Sequence, residues 1–354
     1  MSEIIIKAAD ADNDVEVKGI VDLFKTAFGQ SFPKKAVYRP DFWRRHISSR
    51  FTSLIAVQAH QIVAHLALQT DKLCSDMVEV LLPAFDPVVR DQVGELYRDS
   101  WKIVTKQAQR SGWAVAYFRE YQEFPDLQRL TRESVKAVPV AILPRHQIPG
   151  SNHHHINRRK TGALDLLTAR VLNRSATLSS KTSSLFVPSS HVQICSQIYG
   201  SLGMVRTFLT EEAPSSIPNF GLPTDVRAVD KQPTHLGLGG VFVQPSLVTD
   251  SARFNSAIAA AARYQAPLMI NMQDPACPAF CEKLENHGYS FCGVMPSIYG
   301  RESIVFGCLG DHEVNTKLFY GDGAQALTAY VDSCRSEAGL SFKNGTPLHT
   351  PPTF

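Results

Sequence analysis

No window of this 354-residue chain is long and apolar enough to span a bilayer. Its start, Met1-Ser2-Glu3, lacks the basic-then-apolar form of a secretory leader. Cysteines are few and odd in number: seven, at 74, 195, 277, 281, 292, 308 and 334. A scattered odd set argues against a disulfide framework and for reduced thiols, so a cytoplasmic location is expected, with no membrane partner. Cys277, Cys281, Cys292 and Cys308 crowd one span, but without the CxxC pairs of a zinc ribbon, so no metal is expected. Net charge is also small, +3 from 36 basic and 33 acidic residues, but it is unevenly placed. Between Arg145 and Lys181 stand seven basic residues and one acidic residue, a local +6 that leaves the remainder at −3. That stretch holds His153-His154-His155 and Pro149-Gly150, with no aromatic residue among the charges. A nucleic-acid platform interleaves aromatics with cations, so a solvated basic linker is the favoured reading and an anion or nucleic-acid contact the other. One helical piece, Ala163 to Leu172, is expected inside it. Adjacent histidines on a loop have no defined ligand geometry.

The chain does contain a clear pattern of elements. Leu54–Val57 and Ile62–Leu68 are apolar runs joined by the polar stretch Gln58 to Gln61, which reads as an antiparallel hairpin. A third run, Met77 to Phe85, ends at Asp86-Pro87, a cap followed by a residue suited to a helix's first turn. From there to Gln109 the residues Val89, Val93, Leu96, Tyr97, Trp101, Val104 and Ala108 recur at helical spacing, and Arg110-Ser111-Gly112 stops the helix. Trp113–Phe118 is a strand, Leu127–Glu133 a short helix and Val135–Leu143 another strand. Upstream, Ile4–Ala9 reads as a first strand. Val15–Phe28 reads as a helix whose start is favoured by the aspartates at 10, 12 and 14.

The plan recurs after residue 183. Leu185–Pro188, a helix over His191–Leu202 capped by Ser189-Ser190, and Met204–Leu209 come first. A strand at Val226–Val229 and a Gly-rich strand from His235 to Val243 lead into Gln244-Pro245. Then follow a helix over Ser251–Tyr264, a strand over Pro267–Met272, a helix over Pro278–His287, and a hairpin of Ser290–Met295 with Ser303–Leu309 turning at Tyr299-Gly300. Gly112–Phe118 lines up with Ala266–Met272, and Phe124–Leu130 with Cys277–Leu284, at offsets of 153 to 154 residues. A repeat of that period is a signal about the whole fold. The expectation is an α/β (α+β) protein of two consecutive domains, 1–145 and 184–320, each a mixed, mostly antiparallel sheet flanked by helices. A basic linker, 146–183, would join them, and a C-terminal helix from Ala324 to Ala338 with a tail would close the chain over 321–354.

The order hairpin, strand into proline, helix, glycine, strand, short helix, strand resembles the GCN5-related N-acetyltransferase (GNAT) superfamily over nearly all of residues 1–145. Phe280–Tyr289 also resembles the ending of that family's fourth helix. The resemblance implies an acyl-CoA-dependent N-acyltransferase, acetyl-CoA or another acyl-CoA being co-substrate and a small-molecule or peptide amine the acceptor. Nucleic acid is not an expected partner. The alternative is a non-catalytic module that senses acyl-CoA or binds another protein. In the family, helix N-terminal amides cradle the CoA diphosphate at a Gln/Arg-x-x-Gly-x-Gly/Ala motif, because such a terminus offers unpaired N–H groups and a positive dipole. Here that stretch is Arg90-Asp91-Gln92-Val93-Gly94-Glu95, so Val93 and Glu95 fall on the two small-residue positions. Leu82 and Phe85 would complete the cofactor contacts, the amide near Leu82 polarising the thioester carbonyl.

Amine acylation needs a base, and the resemblance points to Glu79 on strand four. Alternation alone would equally make Glu79 a solvent-facing strand residue. The acid position on the second copy's helix four is Cys281, which its helical face equally marks as a structural thiol. Tyr117, Glu120 and Tyr121, at the end of strand five, are candidate acceptor contacts or plain surface residues. His60 at a turn and His65 on strand three read as surface or edge residues.

Overall fold

The computed structural model describes residues 3–32, 35–47, 49, 51–71, 74–144, 164–173, 184–210, 240–248, 251–264, 266–298, 301–309, 314–315, 317 and 319–344. The triple histidine, the expected strand at 226–229 and the expected turn at 299–300 lie outside them, as do most of the basic linker and the end of the tail.

The first half runs β1 (Ile4–Ala8), α1 (Asp14–Phe28), α2 (Pro40–His46), β2 (Phe51–Gln58), β3 (Gln61–Asp71) and β4 (Cys74–Phe85). It continues through α3 (Val93–Ser111), β5 (Val115–Tyr121), α4 (Pro125–Leu130), β6 (Val138–Pro144) and β7 (Leu164–Val171). The cap of α1 is Asn13, whose side chain accepts the Val15 and Glu16 amides; Asp14 lies in the first turn. Helix α2 was not expected from the sequence, although Pro40 stands at its first turn as helix starts allow. Gly112, at φ 74°, ends α3 in the left-handed conformation that glycine adopts without strain. Trp43, Phe24 and Ile20 bury α1 and α2 on one face of the sheet, and Tyr97, Val104 and Ala108 bury α3 on the other.

The second half runs β8 (Ser184–Phe186), α5 (Val192–Ser201), β9 (Thr207–Leu209), β10 (Val241–Val243) and α6 (Ser251–Tyr264). Then come β11 (Leu268–Asn271), α7 (Cys277–Glu285), β12 (Ser290–Ile298), β13 (Arg301–Gly307) and α8 (Asp322–Asn344). Ser189 and Ser190 do not cap α5; they form a short 3-10 turn ahead of it, with no side-chain cap bond.

Eleven strands make one mixed, mostly antiparallel sheet in the order β1-β2-β3-β4-β5-β7-β6-β12-β13-β11-β10. From β4 to β10 this order is a palindrome. β4 pairs parallel with β5 as β10 does with β11, and β7 inserts between β5 and β6 as β13 inserts between β11 and β12.

Strand β7 corrects the expected helical piece at 163–172. Leu164, Leu166, Leu167 and Ala169 are all buried, and the strand pairs with β5 on one side and β6 on the other. A short apolar run is ambiguous between helix and strand; two open neighbouring edges decided it. The segment expected to be a basic linker with one helical piece therefore supplies a central strand.

The halves meet where β12 pairs with β6 at Gly293 and Ala141. Gly293 has φ 139°, and a Cβ there would overlap the Val140 carbonyl oxygen and the Ala141 backbone.

The β2–β3 hairpin turns on Ala59 (φ 48°) and His60 (φ 67°), with Gln58 opposite Gln61. Two left-handed residues in a two-residue turn suit Asn-Gly far better than Ala-His. Replacing Ala59-His60 by Asn-Gly is expected to stabilise the chain by about 1 kcal/mol, read as a higher denaturation midpoint with an unchanged slope. No helix among the described residues is long and apolar enough to cross a membrane.

Candidate active site

Strands β4 and β5 run parallel and in register from Met77–Val115 to Val80–Phe118, and no further. Beyond that point β5 stays with β7 as far as Tyr121–Asp165, while β4 follows β3. The strands part because β4 bulges. Its register against β3 shifts between Ala67–Leu81 and His65–Ala84, leaving the two residues Leu82 and Pro83 opposite the single residue Leu66. Leu82 has φ 52°, a conformation that costs a side-chain-bearing residue about 1–2 kcal/mol. Pro83 has no amide hydrogen, so Leu82 carries the only N–H of the two bulge residues.

His65 holds the bulge. It is 1% exposed, packed against the rings of Trp43 and Phe24. Its Nδ1 donates to the Leu82 carbonyl at 2.9 Å, which leaves Nε2 to accept from Ser53 Oγ at 3.1 Å. Burial pushes the imidazole down to about 4, keeping it neutral. The expected surface or edge histidine is thus a buried brace; the available clue was a polar residue inside the apolar run Ile62–Leu68. Because the folded value lies below the ordinary 6.5, the unfolded chain binds more protons between about pH 6.5 and pH 4, and stability falls as pH falls through that window. His65→Gln should flatten that slope by about 2 kcal/mol between about pH 7 and pH 5, measured by chemical denaturation at each pH.

On the same sheet face a row of side chains crosses the parting point. Gln69 on β3 is the direct cross-strand partner of Glu79 on β4, and Glu79 is in register with Tyr117 on β5. Glu79 is 4% exposed, so the solvent-facing alternative for it does not hold. Among the described residues the Gln69 side-chain oxygen has no hydrogen-bond partner. Tyr117 is fully buried, and its hydroxyl donates to the Pro296 carbonyl of β12, so the second half of the chain reaches into this row. Tyr121 is half-buried; it meets Phe124, which packs on Phe28 and Phe32 beside the row.

Glu120 lies on the opposite face. It takes a two-pronged ion pair from Arg132 at 2.8 and 2.9 Å and a hydrogen bond from Thr168 at 2.9 Å. Burial raises its carboxyl to about 7, against the pull of Arg132 and Thr168. It braces β5 to β7 and to the turn after α4, away from Glu79 and Tyr117. Cys281 is also elsewhere, fully buried on α7 with its sulfur 3.8 Å from that of Cys277. Burial holds its thiol well above the ordinary range, so it stays protonated, as a structural thiol does.

The residues expected from the sequence to contact a diphosphate follow β4. A 3-10 turn over Pro87–Gln92 precedes α3, its first amide capped by Asp86 through Val88 N–H at 2.9 Å. The Val93 amide bonds the Arg90 carbonyl, and α3 has no side-chain cap. Arg90, Asp91 and Glu95 are exposed around this start, while Gln92, Val93 and Gly94 are half-exposed. A Cβ on Gly94 would find nothing nearer than Ser134 Oγ at 3.9 Å, so there is room for close approach. Phe85, at the end of β4, turns its ring edgewise to Tyr97. The uncapped helix, Arg90 and the space at Gly94 fit an anionic group; the carboxylates of Asp91 and Glu95 oppose it.

No family model and no curated protein matches the chain. Solved structures of acetyltransferases do. One is the aminoglycoside 6'-N-acetyltransferase from Enterococcus faecium, at 11% identity and TM-score 0.37, covering 48% of this chain and 97% of that one. Another is the ribosomal-protein-S18-alanine N-acetyltransferase from Escherichia coli, at 15% and 0.35, covering 47% and 92%. A third is an aminoglycoside 6'-N-acetyltransferase complexed with coenzyme A, at 13% and 0.35, covering 48% and 97%. This chain is similar to acetyltransferases over about half its length.

Glu95 is exposed at the start of α3, where its carboxylate favours the helix but disfavours an anion. Glu95→Gln is expected to tighten the binding of a phosphate-bearing ligand at that place by about two- to fivefold while lowering helix stability slightly, a pair of opposite signs readable by calorimetric titration with coenzyme A and thermal melting.

Proposed function

We propose that this chain is an acyl-CoA-dependent N-acyltransferase, moving an acetyl or other acyl group to the amine of a small molecule or peptide. Its two halves are read as tandem copies of one architecture, and the site lies in the first. The observation that carries the proposal is the parallel β4–β5 pair that ends at a left-handed bulge beside an uncapped helix start. Acyl-CoA, when bound, supplies an activated acyl carbon whose bond to sulfur breaks as the bond to nitrogen forms.

This chain's own residues do the remainder. The Leu82 amide, in a backbone fixed by His65, is placed to donate to the thioester oxygen, where negative charge develops. Gln69 and Glu79 stand side by side as acceptors, a pairing that suits the N–H groups of an amine. Glu79 takes the amine proton as the new bond forms. Tyr117, fixed by Pro296, walls the row, and Tyr121 lies where an acceptor would pass. Arg90, Gln92, Val93 and Gly94 line the diphosphate end, with Phe85 at the strand's close.

The test uses the full chain, acetyl-CoA and a panel of amines. Thermal stabilisation by acetyl-CoA together with thiol release on one or more amines is expected. Stabilisation without thiol release on any amine favours the non-catalytic, acyl-CoA-sensing alternative, which the carboxylates of Asp91 and Glu95 make worth carrying. Neither effect sinks both readings.

A further inference from the structure

The palindromic sheet contains a second parallel pair, β10–β11, in register at Val241–Leu268, Phe242–Met269 and Val243–Ile270. The next residues along these strands are Gln244 and Asn271, at the place corresponding to where β4 and β5 part. Their side chains bond to each other, Asn271 Nδ2 donating to Gln244 Oε1 at 2.7 Å. Arg301 of β13 donates to the same oxygen at 3.1 Å. The Gln244 amide nitrogen donates to Asp274, whose carboxylate also accepts the Ser246 amide at 2.8 Å and the Ala276 amide at 3.0 Å. Asn271 and Asp274 are each 2% exposed.

The contrast with the first pair is chemical. At β4–β5 the strands separate at a bulge, and the 3-10 turn beyond gives its first free amide, that of Val88, only to the half-exposed side chain of its own cap residue, Asp86. At β10–β11 the strands are tied together by a Gln–Asn–Asp–Arg network. The first amide of the 3-10 turn Pro245–Leu247 that follows β10 and carries a hydrogen, that of Ser246, is already given to a buried carboxylate. A carboxylate at a turn's free amides occupies them as an anion from outside would. Opening this network to admit a ligand would break several buried hydrogen bonds and leave a buried carboxylate without its donors, which is expensive.

We propose that the chain binds one acyl-CoA, in its first half, and that the Gln244–Asn271–Asp274–Arg301 network closes the corresponding place in the second half. The proposal rests on the acyltransferase reading above. It is tested by calorimetric titration of the full chain with coenzyme A, which measures stoichiometry independently of turnover. Three variants accompany it: Gly94→Glu at the start of α3, and Asp274→Ala and Gln244→Ala in the network. The expected result is one equivalent bound, weakened at least about tenfold by Gly94→Glu and changed less than about twofold by Asp274→Ala. Should Asp274→Ala fail to fold, Gln244→Ala makes the same comparison at a half-buried position. Two equivalents, or a single equivalent indifferent to Gly94→Glu and lost on changing the network, overturn this inference and leave the acyltransferase reading standing. No binding by the folded chain overturns that reading, and the inference with it.

Discussion

Gly293→Ala is expected to destabilise the chain by about 3–6 kcal/mol, enough to unfold a typical domain at body temperature. Two separate costs add. At φ 139° the backbone is in a region open to glycine and strained for any residue with a side chain. The added carbon would also overlap the Val140 carbonyl oxygen and the Ala141 Cα, with the Ala141 Cβ at 2.8 Å. Those are backbone atoms of β6, held on the far side by β7, so they cannot turn aside as a flexible side chain would. Because the position joins the two halves of the sheet, the change should also lower cooperativity, splitting one unfolding transition into two. Gly200→Ala provides the contrast. It lies on the exposed side of α5 with nothing within 4 Å of an added Cβ, and should be neutral or stabilise by about 0.5 kcal/mol. Urea denaturation of the three proteins decides the matter; a Gly293→Ala chain as stable as its parent would mean that the halves do not pack as described.

Glu79→Gln should lower the turnover number for amine acylation by about 10²–10⁴-fold. The substitution keeps the shape of the side chain and removes its charge and its ability to take a proton. Affinity for coenzyme A should stay within about twofold, since the diphosphate end proposed above lies at the start of α3. The diagnostic result is therefore a fall in kcat at unaltered cofactor affinity. A variant with turnover within about threefold of the parent would remove Glu79 from the role of base, and the Gln69–Glu79 row would then be a binding surface alone.

Much of the first half was legible because its elements announce themselves locally. Asp86-Pro87 begins a helical turn, Gly112 ends α3, and the hairpin Leu54–Leu68 is apolar on both sides of a short polar break. Less was legible where one stretch could serve two structures. Leu164–Val171 is apolar enough for a helix or a strand, and the choice fell to the vacant edges of β5 and β6. The candidate site was legible in part. Glu79 and Tyr117 were singled out, and the structure brings them into one row. Glu120, three residues on from Tyr117, faces the other way because strand side chains alternate, and a base or contact cannot be assigned from a strand without knowing which face is inside. His65 reads from the sequence as a surface or edge residue, and Gln69 is not singled out, because a polar residue in a strand does not by itself identify the groups packed above it.

By itself the sequence determined where most of the helices and strands fall, though not α2 or β7, that a strand–helix–strand plan occurs twice, and that Val93, Gly94 and Glu95 follow the turn begun by Pro87. Those are properties of neighbours in the chain, set by local propensity, capping and hydrophobic period. Only the tertiary structure decided that the two halves join edge to edge through Gly293, that His65 fixes the bulge at Leu82, that Pro296 fixes Tyr117, and that Asp274 closes the second parallel pair. Each of these is a contact between residues far apart in the chain. Its strength comes from exclusion of water and from geometry that exists only after the sheet has formed.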